Sequence, residues 1–422
     1  MSDRSKSYDV IVAGAGPVSQ TLAIDLGRRG IQCLLLERNA TAAPWPKMDR
    51  SNARTMEFYR RIGIVDRVRA LGYPPEIPMD VFIVTRLCDP PLAMLRYPSV
   101  AECRLQFAAC RDGSLPLERY QLVSQNKLEP LLKEVAESTS NVTVRYGCEL
   151  VDFAQDDTGV SVLARSLDGS EETLRGSYLT GCDGGPSTVR KKLGIKLEGR
   201  GGIQEVCQVI FGSKDLYDKI PIGKGRHYNF AHPDSSAIIA QGCRTEFTLH
   251  TSLPPETDFE PIIRDLVGFP CEIDIRHVVQ WRQHLLVAER YRDGRVFLAG
   301  DSVHLVIPTG GLGMNTGVGD AFDLSWKLSG VIKGWGGQFC SMDMSRNGVL
   351  SACATVTLPG GPRLGYRSGD GSSTPTFATT LLRAPRCARR SQLPRVSIIV
   401  ACTICAASSS AIAMPVLAAC RL

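Results

Sequence analysis

The stretch YDVIVAGAGPVSQTLAIDLGRRGIQCLLLERN, residues 8–39, restricts the folds open to this chain more than any other. Asp9 to Val12 reads as a short apolar strand, followed by the glycine turn Gly14-Ala15-Gly16. An amphipathic helix from Pro17 to about Arg29 leads to a second strand, Cys33 to Leu36, that ends at Glu37. Strand, glycine turn, helix and strand make a βαβ unit. Gly14 permits the tight turn. Gly16 lets a pyrophosphate approach the backbone at a helix N-terminus, where free N–H groups and the helix dipole favour anions. Glu37 stands where a carboxylate can accept from ribose hydroxyls. The third glycine of the pattern is replaced by Ser19, small enough to be tolerated where helix and strand pack closely. The unit predicts dinucleotide binding but does not separate NAD from FAD.

Three later stretches narrow the choice. PKMDRSNARTMEFYRRIGIVDRV is a helix preceded by basic residues. YLTGCDGGPSTVRKKLGI is an apolar strand running into Cys182-Asp183-Gly184-Gly185. In GRVFLAGDSVHLVIPTGGLGMNTGVGDAFDLSWKLSGVI a strand, Val296 to Ala299, ends at Gly300-Asp301; a glycine-rich loop follows, then a helix from about Gly317.

With these motifs in this order, from about Tyr8 to Gly337, the chain resembles the FAD-dependent aromatic hydroxylases, single-component flavoprotein monooxygenases of the para-hydroxybenzoate hydroxylase type. The resemblance implies that Gly14, Gly16 and Glu37 hold the ADP half of FAD. Lys47 stands where the family often has a pyrophosphate-contacting arginine, with Arg54 a second candidate and plain surface charge the bland reading. Gln125, in YQLVSQNKLEPLL, matches a flavin-contacting glutamine. Asp301 would accept from the ribitol hydroxyls, and Pro308 would lie against the isoalloxazine. Gly313, Met314 and Asn315 would offer N–H groups to the pyrimidine end, where reduced flavin carries negative charge. Asp183 lies in a stretch the family associates with both FAD and NAD(P)H; as a turn residue after a strand it needs no such role. His304 reads as loop packing around the site rather than as a catalyst. Two departures are Pro186, where the family usually has a basic residue and which leaves Arg190 as the nearest substitute, and Ile307 in place of a common proline.

The chemistry implied by the resemblance is reduction of FAD by NAD(P)H, addition of O2 to give a flavin C4a-hydroperoxide, and oxygen transfer to a phenolic or other aromatic ring. One glycine-rich nucleotide motif fits an NAD(P)H co-substrate that binds transiently. A phenol would need its hydroxyl deprotonated or hydrogen-bonded; His227 and Tyr228 are the right residue types, and His232 lies nearby, though each also reads as a packed or surface residue. A related flavin epoxidase is an alternative, and the lysine-bearing halogenase signature is not apparent. The metal expectation is none.

The expected fold class is α/β, a Rossmann-like FAD-binding domain with an inserted mixed-sheet substrate domain and a non-native or disordered C-terminal tail. FAD-binding segments are expected at 1–73, 111–200 and 282–337, and substrate segments at 74–110 and 201–281, the latter alternating as a sheet in CQVIFGS and TEFTLHTSL.

Composition matters most at the C-terminal side. Of the net charge of +6, residues 338–422 carry +7, with nine Arg against two Asp and no Lys, Glu or His. The remainder is near neutral, which removes the case for a nucleic-acid partner. Nine of the fifteen cysteines are scattered through residues 1–337 without metal-ligand spacing and read as reduced cytoplasmic thiols. Residues 396–420 are apolar enough to mimic a membrane anchor, but Ser408 to Ser410 and Pro415 make it a poor one; Cys402 and Cys405 lack a partner pair. Back-translation of residues 338–357 with permitted codons, read two bases later, gives VLLDGYEPEWRPVGMRNRD, similar to the segment that follows this helix in the family. The expectation is a frameshift near Gly337–Gln338, an impaired enzyme or a non-catalytic product of a damaged frame. The sequence leaves the oligomeric state open.

Overall fold

The computed structural model describes residues 7–337 apart from 48, 242, 243 and 309. The expectations for the tail, its frame, anchor and C-x-x-C spacing, lie outside the described residues.

An eight-stranded sheet is built around the N-terminal motif. β1 (Ser7–Ala13) pairs in parallel with β2 (Cys33–Glu37) and β10 (Glu171–Gly181); β7 (Val142–Tyr146) extends the sheet beyond β2, and β17 (Val296–Leu298) beyond β10. β16 (Arg292–Asp293) pairs antiparallel with β17, while β8 (Cys148–Asp156) and β9 (Gly159–Ser166) form a hairpin on β10. Val10, Ile11 and Val12 have no exposed surface, as expected of a parallel strand covered on both faces. One cover is α1 (Pro17–Arg28), packed against α5 (Gln125–Ser138) and α9 (Leu312–Ile332).

The second sheet also has eight strands. Its axis is a long ribbon in which β11 (Leu197–Gly212) pairs antiparallel with β15 (Asp274–Ala288), from Leu197 opposite Ala288 to Gly212 opposite Asp274. These strands run past the expected segment edges at 201 and 281, because strand pairing continues as far as backbone partners are available. β14 (Glu246–Thr251), β13 (Ala237–Ala240) and β12 (His227–Phe230) follow antiparallel beside β11. β4 (Val81–Val84) joins β12 in parallel and β5 (Ala93–Leu95) closes that edge, so the sheet is mixed, as predicted. The opposite edge is β18 (His304–Leu305), paired with β15.

Strand alternation gives this second sheet two unlike faces. Phe82, Phe211, Tyr228, Phe247 and Leu249 share one core with Phe259, Ile263 and Val267 of α8 (Phe259–Val267) and with Leu216 and Tyr217 of α7 (Leu216–Lys219). Each such side chain, fully buried, contributes roughly 1.5–3 kcal/mol. The opposite face carries His227, Thr248, His250 and Gln208.

Shorter elements join the two sheets. β3 (Arg50–Ser51) pairs with β6 (Gln121–Leu122), and α2 (Ala53–Arg61) and α3 (Val65–Leu71) follow β3. α4 (Val100–Ala109) starts with a capping box: Glu102 N–H donates to Ser99 Oγ at 3.2 Å, and Ser99 N–H to Glu102 Oε2 at 2.6 Å. α6 (Thr188–Lys192) follows β10.

α9 begins at Leu312, five residues before the expected Gly317. Glycines weaken helix propensity and made this stretch read as loop. Two of them make the helix start possible: Gly310 and Gly311 take φ of +91° and +66°. A Cβ on Gly317 would lie 2.6 Å from Val18 Cγ2 and 3.0 Å from Gly300 Cα, so the glycine allows α9 to lie close against α1 and the Gly300 turn.

Candidate functional site

Parallel pairing puts the motifs side by side. Ala13 is in register with Leu36 and Gly181, and Gly181 with Leu298. The chain therefore leaves β1 into the Gly14–Gly16 turn, β2 at Glu37, β10 into Cys182-Asp183, and β17 into Gly300-Asp301, all at the carboxyl ends of neighbouring strands. Ligands of open α/β sheets bind at such ends.

Gly14 has φ +97°, and a Cβ there would sit 2.5 Å from the Cys182 carbonyl oxygen. At Gly16 a Cβ would meet nothing within 4 Å, so space lies open beside the start of α1. Ala15 N–H donates to Glu37 Oε2 at 2.8 Å, and the other oxygen accepts from Asn39 N–H at 2.9 Å. Glu37 thus fixes the glycine turn. Ser19 is fully buried, and its hydroxyl donates to the Gly16 carbonyl at 2.9 Å. That bond satisfies the polar atom that replaces the third glycine.

Asp301 follows Gly300 beyond the end of β17 and is exposed. Packed protein around it nevertheless pushes its carboxyl above the usual range through desolvation, opposed by His304 and Lys47. Lys47 is exposed, and its backbone N–H donates to Gln125 Oε1 at 3.2 Å. Gln125, the first residue of α5, donates through Nε2 to buried Glu129 at 2.5 Å. Burial raises the Glu129 carboxyl, with Gln125 and Lys47 working against it.

Pro308 is exposed between β18 and α9. The geometry of a helix start leaves the N–H groups of Leu312, Gly313 and Met314 without intrahelical acceptors. Asn315 differs from the expectation: its N–H is the first with an acceptor inside the helix, and its side chain is a brace. Oδ1 accepts from Asn52 N–H at 2.8 Å and Thr55 Oγ at 2.6 Å, and Nδ2 donates to the Arg50 carbonyl at 2.9 Å. The starts of α2 and α9 are thereby tied together.

Three other sequence candidates have occupied side chains. Asp183 accepts from Ser187 Oγ at 2.6 Å, Thr188 N–H at 2.7 Å and Val189 N–H at 3.1 Å, capping α6. Arg190 is buried and donates to the Gly185 and Ser302 carbonyls, each at 2.9 Å; the substitute for a nicotinamide-binding base is a structural tie. Arg54 is mostly exposed, pairs with Glu57 at 3.1 Å and lies over the Phe58 ring.

The substrate-side pair splits by strand alternation. Tyr228 is corrected: it stacks on Phe82 inside the core, and its hydroxyl accepts from Gly225 N–H at 2.9 Å and donates to the Gly223 carbonyl at 3.1 Å. A tyrosine so placed cannot face a ring on the opposite side of the sheet. His227 is on the other face, in a row with Thr248 and Ile210 set by strand register. His232 lies after β12 and pairs with Asp234 at 2.9 Å.

The sequence reading missed most of this second face. Gln208, His250 and Val279 form the adjacent row, with Trp281 edge-on to His250. The face meets the segment that carries Lys47: Gln208 Nε2 donates to the Pro46 carbonyl at 3.2 Å, and Trp45 stacks on His277 at 5.2 Å. Burial, aided by the Arg226 charge, lowers His250 to about 4 and holds His227 well below its ordinary value. His227 Nδ1 and Trp281 Nε1 are buried without a hydrogen-bond partner. Buried polar atoms are ordinarily paired, so both invite a ligand group or water. The alternation of Thr248 and His250 within TEFTLHTSL was the available signal. Among the described residues no group of metal-ligating side chains occurs, and no helix is long and apolar enough to cross a membrane.

The family model described as FAD binding domain matches residues 7–341. The chain is 35% identical over 353 residues to an FAD-dependent monooxygenase, apdD, of Emericella nidulans, covering 78% of this chain and 56% of that protein. It is 33% identical over 345 residues to aklavinone 12-hydroxylase DnrF of Streptomyces peucetius, covering 78% of this chain and 69% of the relative. Among solved structures, the flavin-dependent monooxygenase PieE in complex with FAD and substrate matches with a TM-score of 0.74 and 30% identity, over 82% of this chain and 62% of PieE. The fold and the cleft at the strand ends are those of an FAD-binding α/β domain. The chain belongs to this FAD binding domain family, within the group of FAD-dependent aromatic hydroxylases.

Proposed function

We propose that this chain is an FAD-dependent monooxygenase that uses NAD(P)H and O2 to hydroxylate a phenolic or polyketide-like aromatic ring. The observation that carries the reading is the in-register convergence of Gly14–Gly16, Glu37 and Asp301 at the ends of β2, β1, β10 and β17. The site fits FAD: open space lies at Gly16, Asp301 presents a carboxylate to the cleft, and α9 starts with free N–H groups. Bound FAD would supply the redox chemistry that couples nicotinamide oxidation to O2 activation. The balance is Ar–H + O2 + NAD(P)H + H⁺ giving Ar–OH + H2O + NAD(P)⁺.

In this reading Gly14, Gly16 and Glu37 hold the ADP half, and Lys47 faces the pyrophosphate. Asp301 accepts from the ribitol. Pro308 borders the ring, and the Gly313 and Met314 N–H groups stabilise charge at its pyrimidine end. Gln125 and Asn315 position the segments that carry these groups. Asp183 would contribute to nicotinamide binding only through the turn it holds. The FAD-binding segments are 1–73, 111–200 and 282–337, and the substrate segments 74–110 and 201–281. His227, held neutral by burial and by the Arg226 and Arg50 charges, is suited to accept a hydrogen bond from a phenol on the polar face. The sheet's mixture of apolar and few polar positions suits a large ring system bearing hydroxyl or carbonyl groups. The PieE and DnrF likenesses support this substrate class. The eight described cysteines are all free, in keeping with a cytoplasmic setting.

The test is to reconstitute the chain with FAD, desalt it, and measure NAD(P)H oxidation with a hydroxylated polycyclic aromatic under ¹⁸O2. A retained flavin spectrum and one labelled oxygen in the product are expected. A colourless protein that takes up no FAD would overturn the reading and favour the non-catalytic alternative. For residues 338–422 we propose the shifted frame, and a continuous frame through Gly337 in both locus and transcript would sink that part.

A further inference from the structure

We propose that His304 and Asp320 act as a positioning pair that holds the Asp301 turn in register with the start of α9, and so sets the affinity of the site for FAD. The proposal rests on the FAD-binding reading above.

Both side chains are almost wholly buried, and His304 Nε2 lies 2.7 Å from Asp320 Oδ2. The same Asp320 oxygen accepts from Gly300 N–H at 3.0 Å. One carboxylate therefore joins three elements. Gly300 begins the turn that presents Asp301. His304 is on β18, the edge strand paired with β15 through Val287, and so belongs to the second sheet. Asp320 is on α9, two turns beyond the Gly313 and Met314 N–H groups. Asp301 and those N–H groups would touch opposite ends of the flavin, and neither anchors the other directly. Asp320 is the side chain that fixes their separation.

The electrostatics fit a pin and exceed what packing alone needs. Burial works against charge on His304, but the Asp320 ion pair and hydrogen bond, with Asp301, outweigh it and raise the imidazole above its ordinary value. The other charged or titratable groups facing the cluster are Lys47, which acts on Asp301; Cys182, whose thiol is pushed up by burial and then by Asp183 and Asp320; and Tyr291, whose ring lies 6.5 Å from His304. When His304 loses its proton, the Asp301 and Asp320 carboxylates repel across the turn, with Lys47 still acting on Asp301.

The experiment is FAD titration of apoprotein, followed by flavin fluorescence quenching from pH 6 to pH 9, with thermal unfolding of each apoprotein alongside. In Asp320→Asn the one oxygen that serves both donors loses its charge and its ion pair with His304, and FAD affinity should fall about tenfold or more, as expected for hydrogen bonds to a charged group. His304→Gln keeps a donor but no charge. It should bind FAD within a few fold of wild type. Wild-type affinity should weaken as pH rises through the raised His304 value, and in His304→Gln that step should vanish. Unchanged affinity in a folded Asp320→Asn would overturn the proposal, as would a pH step that persists in His304→Gln. Should Asp320→Asn fail to fold, the pH step in His304→Gln decides alone. A wild-type apoprotein that binds no FAD would overturn this pair and the proposed function together; FAD binding that ignores both substitutions would overturn the pair only.

Discussion

The two sheets put their polar side chains to different uses. Around the parallel sheet the groups that shape the turns have protein partners: Glu37 holds Ala15, Ser19 holds Gly16, Asp183 caps α6, and Arg190 ties two carbonyls, while Gln20 Oε1 and Thr180 Oγ1 are buried without one. On the inner face of the antiparallel sheet His227 Nδ1 and Trp281 Nε1 are buried and unpartnered. Under the proposed function the first half presents backbone held by side chains to the cofactor, and the second leaves His227 Nδ1 and Trp281 Nε1 open to the substrate.

The largest expected break falls on the antiparallel half. Phe247→Ala removes a fully buried ring between Phe211 and Tyr217 and should cost about 3–5 kcal/mol in urea unfolding. Gly14→Ala combines a positive φ with a Cβ against the Cys182 carbonyl. It should cost roughly 2–4 kcal/mol and abolish FAD retention on desalting. Equal FAD retention in that variant would dissolve the distinction between the halves. Asp301→Asn should leave stability nearly unchanged and weaken FAD binding by roughly tenfold, read by fluorescence titration.

A pH measurement sharpens the comparison from the other side. His250 titrates near 4 in the folded chain and near its ordinary value once unfolded, with burial the main cause. The unfolded state then binds more protons between about pH 6.5 and pH 4. Stability associated with His250 is complete above this window and is lost as pH falls through it. His250→Asn should flatten that part of the curve of urea midpoint against pH. The smallest effect is expected at Arg54, whose exposed pair with Glu57 should contribute under about 0.5 kcal/mol. Arg54→Ala should change FAD affinity less than twofold, and Lys47→Ala more; the reverse order would move the pyrophosphate contact to Arg54.

The same contrast explains what the sequence made legible. The βαβ unit is local: strand, turn, helix and carboxylate fall within residues 8–39, so its periodicity and glycines specify it without knowledge of the rest. The polar face is assembled from strands at 81–84, 197–212, 227–230, 237–240, 246–251 and 274–288. Which of two neighbours, His227 or Tyr228, looks into the cleft depends on register, and register is set by pairings distant in sequence. The early start of α9 was hidden for a related reason. Gly313 and Gly317 weaken the local helix signal, while the packing against Val18 that rewards a glycine is visible only in three dimensions. His304 was legible as a packed residue of the loop, but its partner sixteen residues on was not.

The ribbon formed by β11 and β15 has a bearing on evolution and engineering. It carries strands contributed by chain on either side of it, yet the glycine turn lies outside it altogether. Under the proposed function, the loops beyond β4, β13 and β14 are the place to graft between relatives in search of new ring specificities, with the Gly14–Gly16 turn left as it stands.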